Sequence, residues 1–215
     1  MTTHTVLCFG DSNTHGTRAL RYPLDMRRFE PDLRWPGVMA AALGNDWNIV
    51  EEGLPSRTTV HDDPVEGLYK NGVRMLPALL DSHRPIDLVI VMLGTNDLKM
   101  RYNVPAIDIA ISAEQILRVI NGSNSGPDQK PPRALLVAPV PIEETGFLGE
   151  MFSGGAEKSR RLAGYFETVA DRQNAGFLNA GDHARVDMVD GIHLTQQGQS
   201  ALGRAMAAKV ADLIG

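Results

Sequence analysis

The chain has 215 residues, a formal net charge of −5, and 43% hydrophobic and 22% charged residues. This composition is typical of a globular protein, and the length fits one domain, which we place over residues 1–215. The negative charge and the absence of a lysine- or arginine-rich cluster argue against nucleic-acid binding. The absence of a long apolar run argues against a membrane span.

The single cysteine and the first residues bear on the cellular location. Cys8 cannot form an internal disulfide bond and lies in an apolar segment, so we expect a buried packing thiol. No charged region followed by an apolar signal core precedes that segment. The sequence therefore predicts a cytoplasmic protein.

Short apolar segments alternate with segments of helical periodicity. The apolar segments are rich in β-branched and aliphatic residues, and several lack alternation, which is typical of strands covered on both faces of a parallel sheet. The pattern predicts an α/β fold, a three-layer α/β/α sandwich around a five-stranded parallel sheet. In chain order we predict a strand at 5–10, a helix at 35–44, a strand at 47–53, a helix at 72–83, a strand at 86–94, a helix at 105–122, a strand at 133–140, a helix at 154–176, a strand at 176–181 and a helix at 195–215.

Two loops interrupt this alternation. Residues 123–132 (SNSGPDQKPP) are a polar loop inside the domain, because helix and strand resume after it on the same plan. Residues 14–36 are a longer connection rich in Arg, Pro and Asp, of the kind that is usually functional in compact domains. For its large side chains, Met26, Phe29 and Trp35, we favour core packing over the lining of an acyl pocket.

Small polar residues follow the predicted strands, at the sheet edge where α/β proteins bind ligands. A serine hydrolase needs a nucleophilic hydroxyl, a base, a carboxylate that orients the base, and oxyanion donors. Ser12 follows the first strand, and Asp190 precedes His193 by three residues in the loop before the last helix. The carboxylate can hold one imidazole nitrogen, which leaves the other free to accept the proton of Ser12. Taken alone, this spacing also fits a histidine that caps the following helix.

Three groups are candidates for the oxyanion donors. They are the backbone N–H of Ser12, the backbone N–H of Gly53 at the end of the second strand, and the side-chain amide of Asn96 after the third. Each of these residues is also an ordinary turn residue. Their joint occurrence with the Asp-x-x-His loop indicates a serine hydrolase.

These residues resemble the four blocks of the SGNH (GDSL-type) hydrolases, in the family's order and over nearly the whole chain. The blocks are Gly10-Asp11-Ser12, Gly53, Gly94-Thr95-Asn96-Asp97 and Asp190-Gly191-Ile192-His193. The segments CFGDSNT, EEGLPSRTT and VMLGTND are further similar to the arylesterase/acyltransferase branch of that family. The resemblance implies a flavodoxin-like fold and hydrolysis of carboxyl esters without a metal or cofactor. It leaves acyl transfer to alcohols and a homo-oligomer open.

The resemblance assigns a role to each candidate residue. Ser12 is the nucleophile, His193 the base and Asp190 the orienting carboxylate, while the Ser12 and Gly53 amides and the Asn96 side chain form the oxyanion hole. Three neighbouring residues, Asp11, Asp97 and Arg57, are expected to support the site. For Arg57 we expect charge-assisted hydrogen bonds that fix the loop after Gly53.

The residues beside the nucleophile depart from the family pattern. Position 15 is His and position 17 is Thr, where close relatives often carry aromatic residues. Because exclusion of water favours transfer over hydrolysis, this less apolar entrance weakens any transferase preference. A catalytic role for His15 is not favoured, since it lacks a carboxylate partner of the Asp190 kind.

The first expectation for the substrate is a small ester with a short acyl group and an aryl or simple alkyl leaving group. Carbohydrate deacetylation and thioesterase or lysophospholipase activity are alternatives on the same triad. A phosphate- or flavin-binding module could use SGGAEKS (153–159), but its spacing fits neither a P-loop nor a dinucleotide fingerprint, so we favour a flexible helix entry at Gly154 and Gly155. Asp62, Asp63 and the scattered histidines lack metal-ligand spacing.

Overall fold

A parallel sheet of five strands lies at the centre of the computed structural model, which describes residues 4–214. Its order is β2-β1-β3-β4-β5, and every neighbouring pair is parallel. This is the flavodoxin-like order, which confirms the predicted fold class. The strands are β1 (His4–Gly10), β2 (Trp47–Gly53), β3 (Leu88–Met92), β4 (Arg133–Ala138) and β5 (Gly176–Asn179).

Each predicted helix is present. The helix at 72–83 has the predicted bounds, and the other helix ends lie within a few residues of the prediction, except that the predicted end at 215 lies outside the described residues. One further helix, a single turn, opens directly after β1. Within residues 4–214, no helix has the length and apolar character that crossing a membrane requires. The helices are α1 (Ser12–His15), α2 (Trp35–Leu43), α3 (Gly72–His83), α4 (Ala106–Asn121), α5 (Gly155–Arg172) and α6 (Gln196–Ile214).

Separate apolar layers cover the two faces of the sheet. On one face, side chains such as Phe9 and Val91 pack with α3, α4 and α5. On the other face, Cys8 and Ile90 pack with α2 and α6. All five residues of β3 are buried, which explains why this strand lacks alternation. Burial also raises the pKa of the Cys8 thiol well above its usual value and confirms its packing role.

The strand order reverses at β1, because β2 pairs with one edge of this strand and β3 with the other. In parallel sheets, the crevice beyond such a reversal is the usual ligand site. Ser12 follows β1 and Asn96 follows β3, so both residues lie at this crevice. The topology therefore supports the site that the strand ends predict.

The connection over residues 14–36 is partly structured. A bridge pairs Thr17 with Arg28, and a 3-10 helix (Pro31–Leu33) precedes α2. Phe29 and Trp35 are buried, as expected, at 7% and 0% exposure. The packing interpretation is wrong for Met26, which is 87% exposed, because this part of the loop lies on the surface.

A close contact between α2 and α6 provides a test of this packing. A Cβ atom added at Gly203 would lie 2.6 Å from Cβ of Val38 and 2.7 Å from the carbonyl oxygen of Trp35. We expect Gly203→Ala to lower the free energy of unfolding by about 1–3 kcal/mol, because the two helices must move apart. Urea unfolding followed by circular dichroism measures this change.

Gly164 in α5 is the matched control, because a Cβ atom added there has no neighbour within 4 Å. We expect Gly164→Ala to raise the free energy of unfolding by up to about 1 kcal/mol, since alanine favours a helix over glycine. Equal changes in the two variants would contradict the close approach of α2 and α6.

Candidate active site

A cavity of about 430 Å³ opens at the carboxyl edge of the sheet, and Ser12, Asn96 and His193 all lie in its wall. The structure thus brings the predicted nucleophile, base and one oxyanion donor together. The apolar part of the wall consists of Leu20, Pro23, Leu24, Met26, Pro55, Val65, Phe147, Leu148, Met151, Phe152 and Ile192. The other wall residues are His15, Thr17, Asp25, Arg27, Ser56, Glu66, Lys99 and Arg101.

Ser12 is placed by a sharp turn from β1 into α1. The Asp11 side chain caps this helix by accepting a hydrogen bond from the Asn13 N–H (2.9 Å). The turn closes at Gly16, where φ is 82°, and the Gly16 N–H donates to the Ser12 carbonyl (2.9 Å). A helix does open at Ser12, as its proposed role as a backbone donor requires.

His193 and Asp190 form a buried pair, with Nδ1 of His193 2.6 Å from Oδ2 of Asp190. The carboxylate also accepts hydrogen bonds from the backbone N–H groups of Leu20 (2.7 Å), Ile192 (2.9 Å) and His193 (3.0 Å). Burial opposes ionisation, but the hydrogen bond and charge of His193, together with the backbone donors, lower the pKa of Asp190. Since an ionised carboxylate only accepts, Nδ1 of His193 carries the proton and Nε2 is the free basic nitrogen.

Gly191 allows this loop to turn, as its place between the two residues suggests. Its φ is 72°, and an added Cβ would lie 1.9 Å from the carbonyl oxygen of Glu143. Ser12 and His193 share the cavity wall, but within residues 4–214 no hydrogen bond joins their side chains. That contact of the predicted triad often forms only when substrate binds.

Gly53 is not in the cavity wall. An added Cβ there would lie 2.2 Å from the backbone nitrogen of His15, so Gly53 instead permits β2 to pass close to α1. Ser56, three residues further on, lines the cavity and has a φ of 66°. Sequence reasoning missed Ser56. Pro55 before it, a typical turn residue, is the signal that could have indicated this position.

Asn96 lies at the start of a 3-10 helix (Asn96–Leu98) directly after β3. Its Nδ2 donates to the carbonyl of Arg57 (3.2 Å) and lies 3.5 Å from Oδ2 of Asp11. The side-chain amide is thereby held by two neighbouring segments. Asn96 lines the cavity, and the role of its side-chain amide as an oxyanion donor stays a prediction.

Arg57 joins the ends of two strands. Its guanidinium donates to the carbonyls of Gly10 (2.9 Å) and Glu52, and its Cζ lies 4.3 Å from the centre of the Phe9 ring. Burial lowers the pKa of Arg57 to about 10, so the group stays charged at neutral pH. These contacts fit the expected supporting role, because they hold the segment that leads to Ser56.

Asp97 and Asp11, the two carboxylates that the sequence predicts to support the site, are both buried. Asp97 accepts hydrogen bonds from the backbone N–H (3.1 Å) and the hydroxyl of Thr59, which ties the loop after β2 to the loop after β3. Burial raises the pKa of Asp97 and raises that of Asp11 to about 6. Neither residue lines the cavity.

His15 and Thr17 form a polar pair in the cavity wall, with Nδ1 of His15 2.9 Å from Oγ1 of Thr17. Burial, followed by the charges of Arg28 and Arg34, lowers the pKa of His15 to about 4. His15 is therefore neutral at neutral pH. The entrance is polar without being charged at this position.

Charged side chains on another part of the wall are already paired with acidic groups. Nζ of Lys99 lies 2.6 Å from Oε1 of Glu66, and a guanidinium nitrogen of Arg101 lies 3.0 Å from Oδ1 of Asp63. The Lys99 side chain is only 3% exposed. Both cations are thus balanced by a carboxylate, and this part of the wall is polar rather than positively charged.

The start of α5, which the sequence raised as a phosphate site, is filled by a side chain of the protein. Gly154, with a φ of 77°, leads into this helix, and the Ala156 N–H in its first turn donates to Oε1 of Glu144 (3.0 Å). A carboxylate thus occupies the place that a phosphate would take. As for the metal site that the sequence also raised, no group of three or more His, Cys, Asp or Glu side chains within residues 4–214 could hold an ion.

Comparisons with known proteins show which family and which solved structures the chain resembles. A model of the GDSL-like lipase/acylhydrolase family matches residues 8–201. A carbohydrate acetylesterase from Sinorhizobium meliloti is 41% identical, with a TM-score of 0.93 over 98% of this chain and 100% of that chain. The native aryl esterase of M. smegmatis is 38% identical, with a TM-score of 0.93 over 98% and 100% of the two chains. No curated protein matches the chain significantly in a sequence comparison.

The hydrogen bonds of Asp190 lead to a prediction about stability and pH. Its lowered pKa means that this carboxylate stabilises the fold above the ordinary aspartate pKa of about 3.9 and less as the pH falls through its lower folded value. We expect Asp190→Asn to stay folded but to lose about 1.5–3 kcal/mol of unfolding free energy at pH 7. The difference from wild type should shrink below pH ~4.

Urea unfolding of both proteins between neutral and acid pH measures this difference. Asp182→Asn is the control, because Asp182 is exposed and, among the described residues, its side chain accepts a hydrogen bond only from the Asn179 side chain (2.9 Å). A difference for Asp190→Asn that does not change with pH would show that the charge of Asp190 does not stabilise the fold.

Proposed function

The chain belongs to the GDSL-like lipase/acylhydrolase family and is a carboxylic ester hydrolase, and on this premise we propose that it cleaves short-chain esters through an acyl-enzyme on Ser12. One observation carries the proposal. The wall of a single cavity contains Ser12 and a histidine whose Nδ1 lies 2.6 Å from a buried carboxylate, Asp190. This leaves Nε2 of His193 as the base for the hydroxyl.

In the acylation step, Oγ of Ser12 bonds to the ester carbonyl carbon while its proton passes to Nε2 of His193. Asp190 stabilises the resulting imidazolium through Nδ1. The carbonyl then re-forms, the bond to the alkoxy oxygen breaks, and the leaving alcohol takes the proton from Nε2. Water repeats the two steps on the acyl-enzyme, which releases the acid and restores Ser12.

Three N–H donors stabilise the negative charge on the carbonyl oxygen in this proposal. The backbone N–H of Ser12 and the side-chain amide of Asn96 are those predicted from the sequence. The third is the backbone N–H of Ser56 in place of Gly53, because Ser56 lines the cavity and Gly53 lies against His15. Loss of one such donor typically costs about 10²–10³ in rate.

The substrate we propose is an ester of a short acyl group with an aryl or simple alkyl alcohol. The apolar wall around Phe152 and Ile192 suits an acyl or aryl group. A second candidate is an acetylated carbohydrate, which the paired polar groups of Glu66 and Lys99 in the same wall favour. The relatives named as an aryl esterase and a carbohydrate acetylesterase support both candidates.

Acyl transfer to alcohols is a minor reaction in this proposal. The polar pair of His15 and Thr17 lines the cavity, so water is not excluded there as aromatic side chains would exclude it. Water therefore competes well for the acyl-enzyme. Hydrolysis is the main outcome that we infer.

A homo-oligomer and a cytoplasmic location stay predictions. Exposed apolar side chains around the cavity mouth support association between copies, since such patches mark interaction surfaces. They include Leu24 (89% exposed), Met26 (87%), Val65 (73%) and Phe147 (42%). The partner that we propose for the cavity is a small-molecule ester, with no nucleic acid or membrane.

The mechanism predicts the behaviour of variants on p-nitrophenyl esters from acetate to palmitate. We expect Ser12→Ala to lose on the order of 10⁶-fold in kcat, because no acyl-enzyme can form. Asp190→Asn should lose about 10⁴-fold, because the imidazole loses its orienting acceptor. Release of p-nitrophenol measures these rates, and wild type should be fastest on the shortest chains.

Ser82→Ala is the matched control, because Ser82 is an exposed serine in α3. A thermal melt of each variant shows whether it is folded, and a fluorophosphonate probe should label wild type and Ser82→Ala but not Ser12→Ala. Equal rates for wild type and Ser12→Ala would refute the mechanism. A maximum at long chains would refute only the substrate class.

The polar pair of His15 and Thr17 leads to a prediction about how the acyl group divides between water and an alcohol. We expect His15→Phe to raise the ratio of transfer to hydrolysis several-fold in aqueous ethanol, because the change removes the polar pair with Thr17. Gas chromatography of the ethyl ester and the free acid measures the ratio. His183→Phe, at an exposed histidine outside the cavity, is the control. The same ratio in both variants would contradict this role of His15.

A further inference from the structure

The residue after the nucleophile reaches across to the loop that carries the base. Asn13 is 5% exposed, and its side-chain amide binds the backbone on both sides of His193. Its Nδ2 donates to the carbonyl of Ile192 (3.2 Å), and its Oδ1 accepts from the N–H of Leu194 (3.0 Å). One planar group therefore holds the base loop against α1.

The backbone of Asn13 adds a third contact with the same part of the chain. Its carbonyl accepts a hydrogen bond from Nε2 of Gln199 in α6 (3.0 Å). Oε1 of Gln199 in turn accepts from the backbone N–H of Trp35 at the start of α2 (2.8 Å). The segment around His193 is thus tied to α1 both directly and through the first turns of α6.

The side-chain type matters for this contact. An asparagine amide offers one acceptor and two donors, so it pairs with a backbone C=O and N–H at the same time. A leucine of similar size offers neither group. An aspartate keeps the acceptor for Leu194 but places an oxygen where a donor faces the Ile192 carbonyl.

We propose that Asn13 is a positioning residue that sets the separation between Oγ of Ser12 and Nε2 of His193. The hydrogen bonds of the Asp190 carboxylate go to residues 20, 192 and 193, which orients the imidazole within its own loop. Asn13 links that loop to the helix of the nucleophile. This inference rests on the proposed function, because it requires a proton to pass between Ser12 and His193.

The test compares steady-state kinetics of wild type and Asn13→Leu on p-nitrophenyl acetate. We expect kcat to fall about 10²-fold, the cost of a small displacement of reacting groups. KM should stay the same, because Asn13 does not line the cavity. The rate of fluorophosphonate labelling of Ser12 should fall together with kcat.

A spectroscopic measurement separates positioning from a general loss of structure. The proton between Nδ1 of His193 and Asp190 should give a low-field NMR resonance in wild type, since the atoms are 2.6 Å apart. We expect this resonance to persist in Asn13→Leu, because the pair stays intact while its distance from Ser12 changes. Its loss, or a rise in KM parallel to the fall in kcat, would instead assign Asn13 a structural role.

Asn179→Leu is the matched control. The Asn179 side chain also makes two hydrogen bonds, to Asp182 (2.9 Å) and from the Gly181 N–H (3.1 Å), at the carboxyl end of β5 and outside the cavity. We expect its kcat to equal that of wild type. An equal fall in both variants would overturn the proposal.

If Asn13→Leu does not fold, Asn13→Asp tests the proposal instead, because an aspartate side chain has nearly the same shape as asparagine. We expect its kcat to fall as well, and a wild-type kcat would overturn the proposal. Ser12→Ala distinguishes a failure of the proposed function from a failure of the proposal about Asn13. Wild-type activity in Ser12→Ala would refute the proposed function and this inference together. An inactive Ser12→Ala beside fully active Asn13 variants would refute this inference alone.

Discussion

The buried carboxylate of Asp190 is the constraint on which the arrangement of the site depends. A charge with no exposure to water is stable only when its oxygens are satisfied, and here four N–H groups satisfy them. Two of the donors come from the backbone of its own loop, one from the His193 ring and one from Leu20. These donors must all lie close to Asp190. Their hydrogen bonds therefore hold the His193 ring in place and join the loop over residues 14–36 to the site.

The rest of the site follows from the strand order. Because β1 lies between β2 and β3, the loops after three neighbouring strands meet at one edge of the sheet. Arg57 joins the ends of β1 and β2, and Asp97 joins the loops after β2 and β3, so the segments that carry the proposed oxyanion donors are held together. Donors fixed before the reaction need no rearrangement when charge develops on the substrate.

Much of this was predictable from the sequence. Non-alternating apolar segments indicated the parallel strands, small polar residues at their ends indicated Ser12 and Asn96, and the Asp-x-x-His spacing before the last helix indicated Asp190 and His193. The position of Ser56 was not predictable, because it depends on a left-handed turn and on how close β2 passes to α1. The exposure of Met26 and the hydrogen bonds of Asn13 to the loop around His193 were likewise not predictable. They depend on contacts between residues far apart in the sequence, and asparagine and methionine are common in many other settings.

The contact between Leu20 and Asp190 has a consequence for how the protein can diverge. It is made by a backbone N–H, so every residue except proline at position 20 can keep it. Several side chains of the same loop, among them Leu20, Leu24 and Met26, line the cavity. Selection can therefore alter the shape of the cavity by changing these side chains while the charge network beneath them is preserved. Substitutions in this loop can therefore change the substrate preference while the hydrogen bonds of the Asp190 carboxylate are kept.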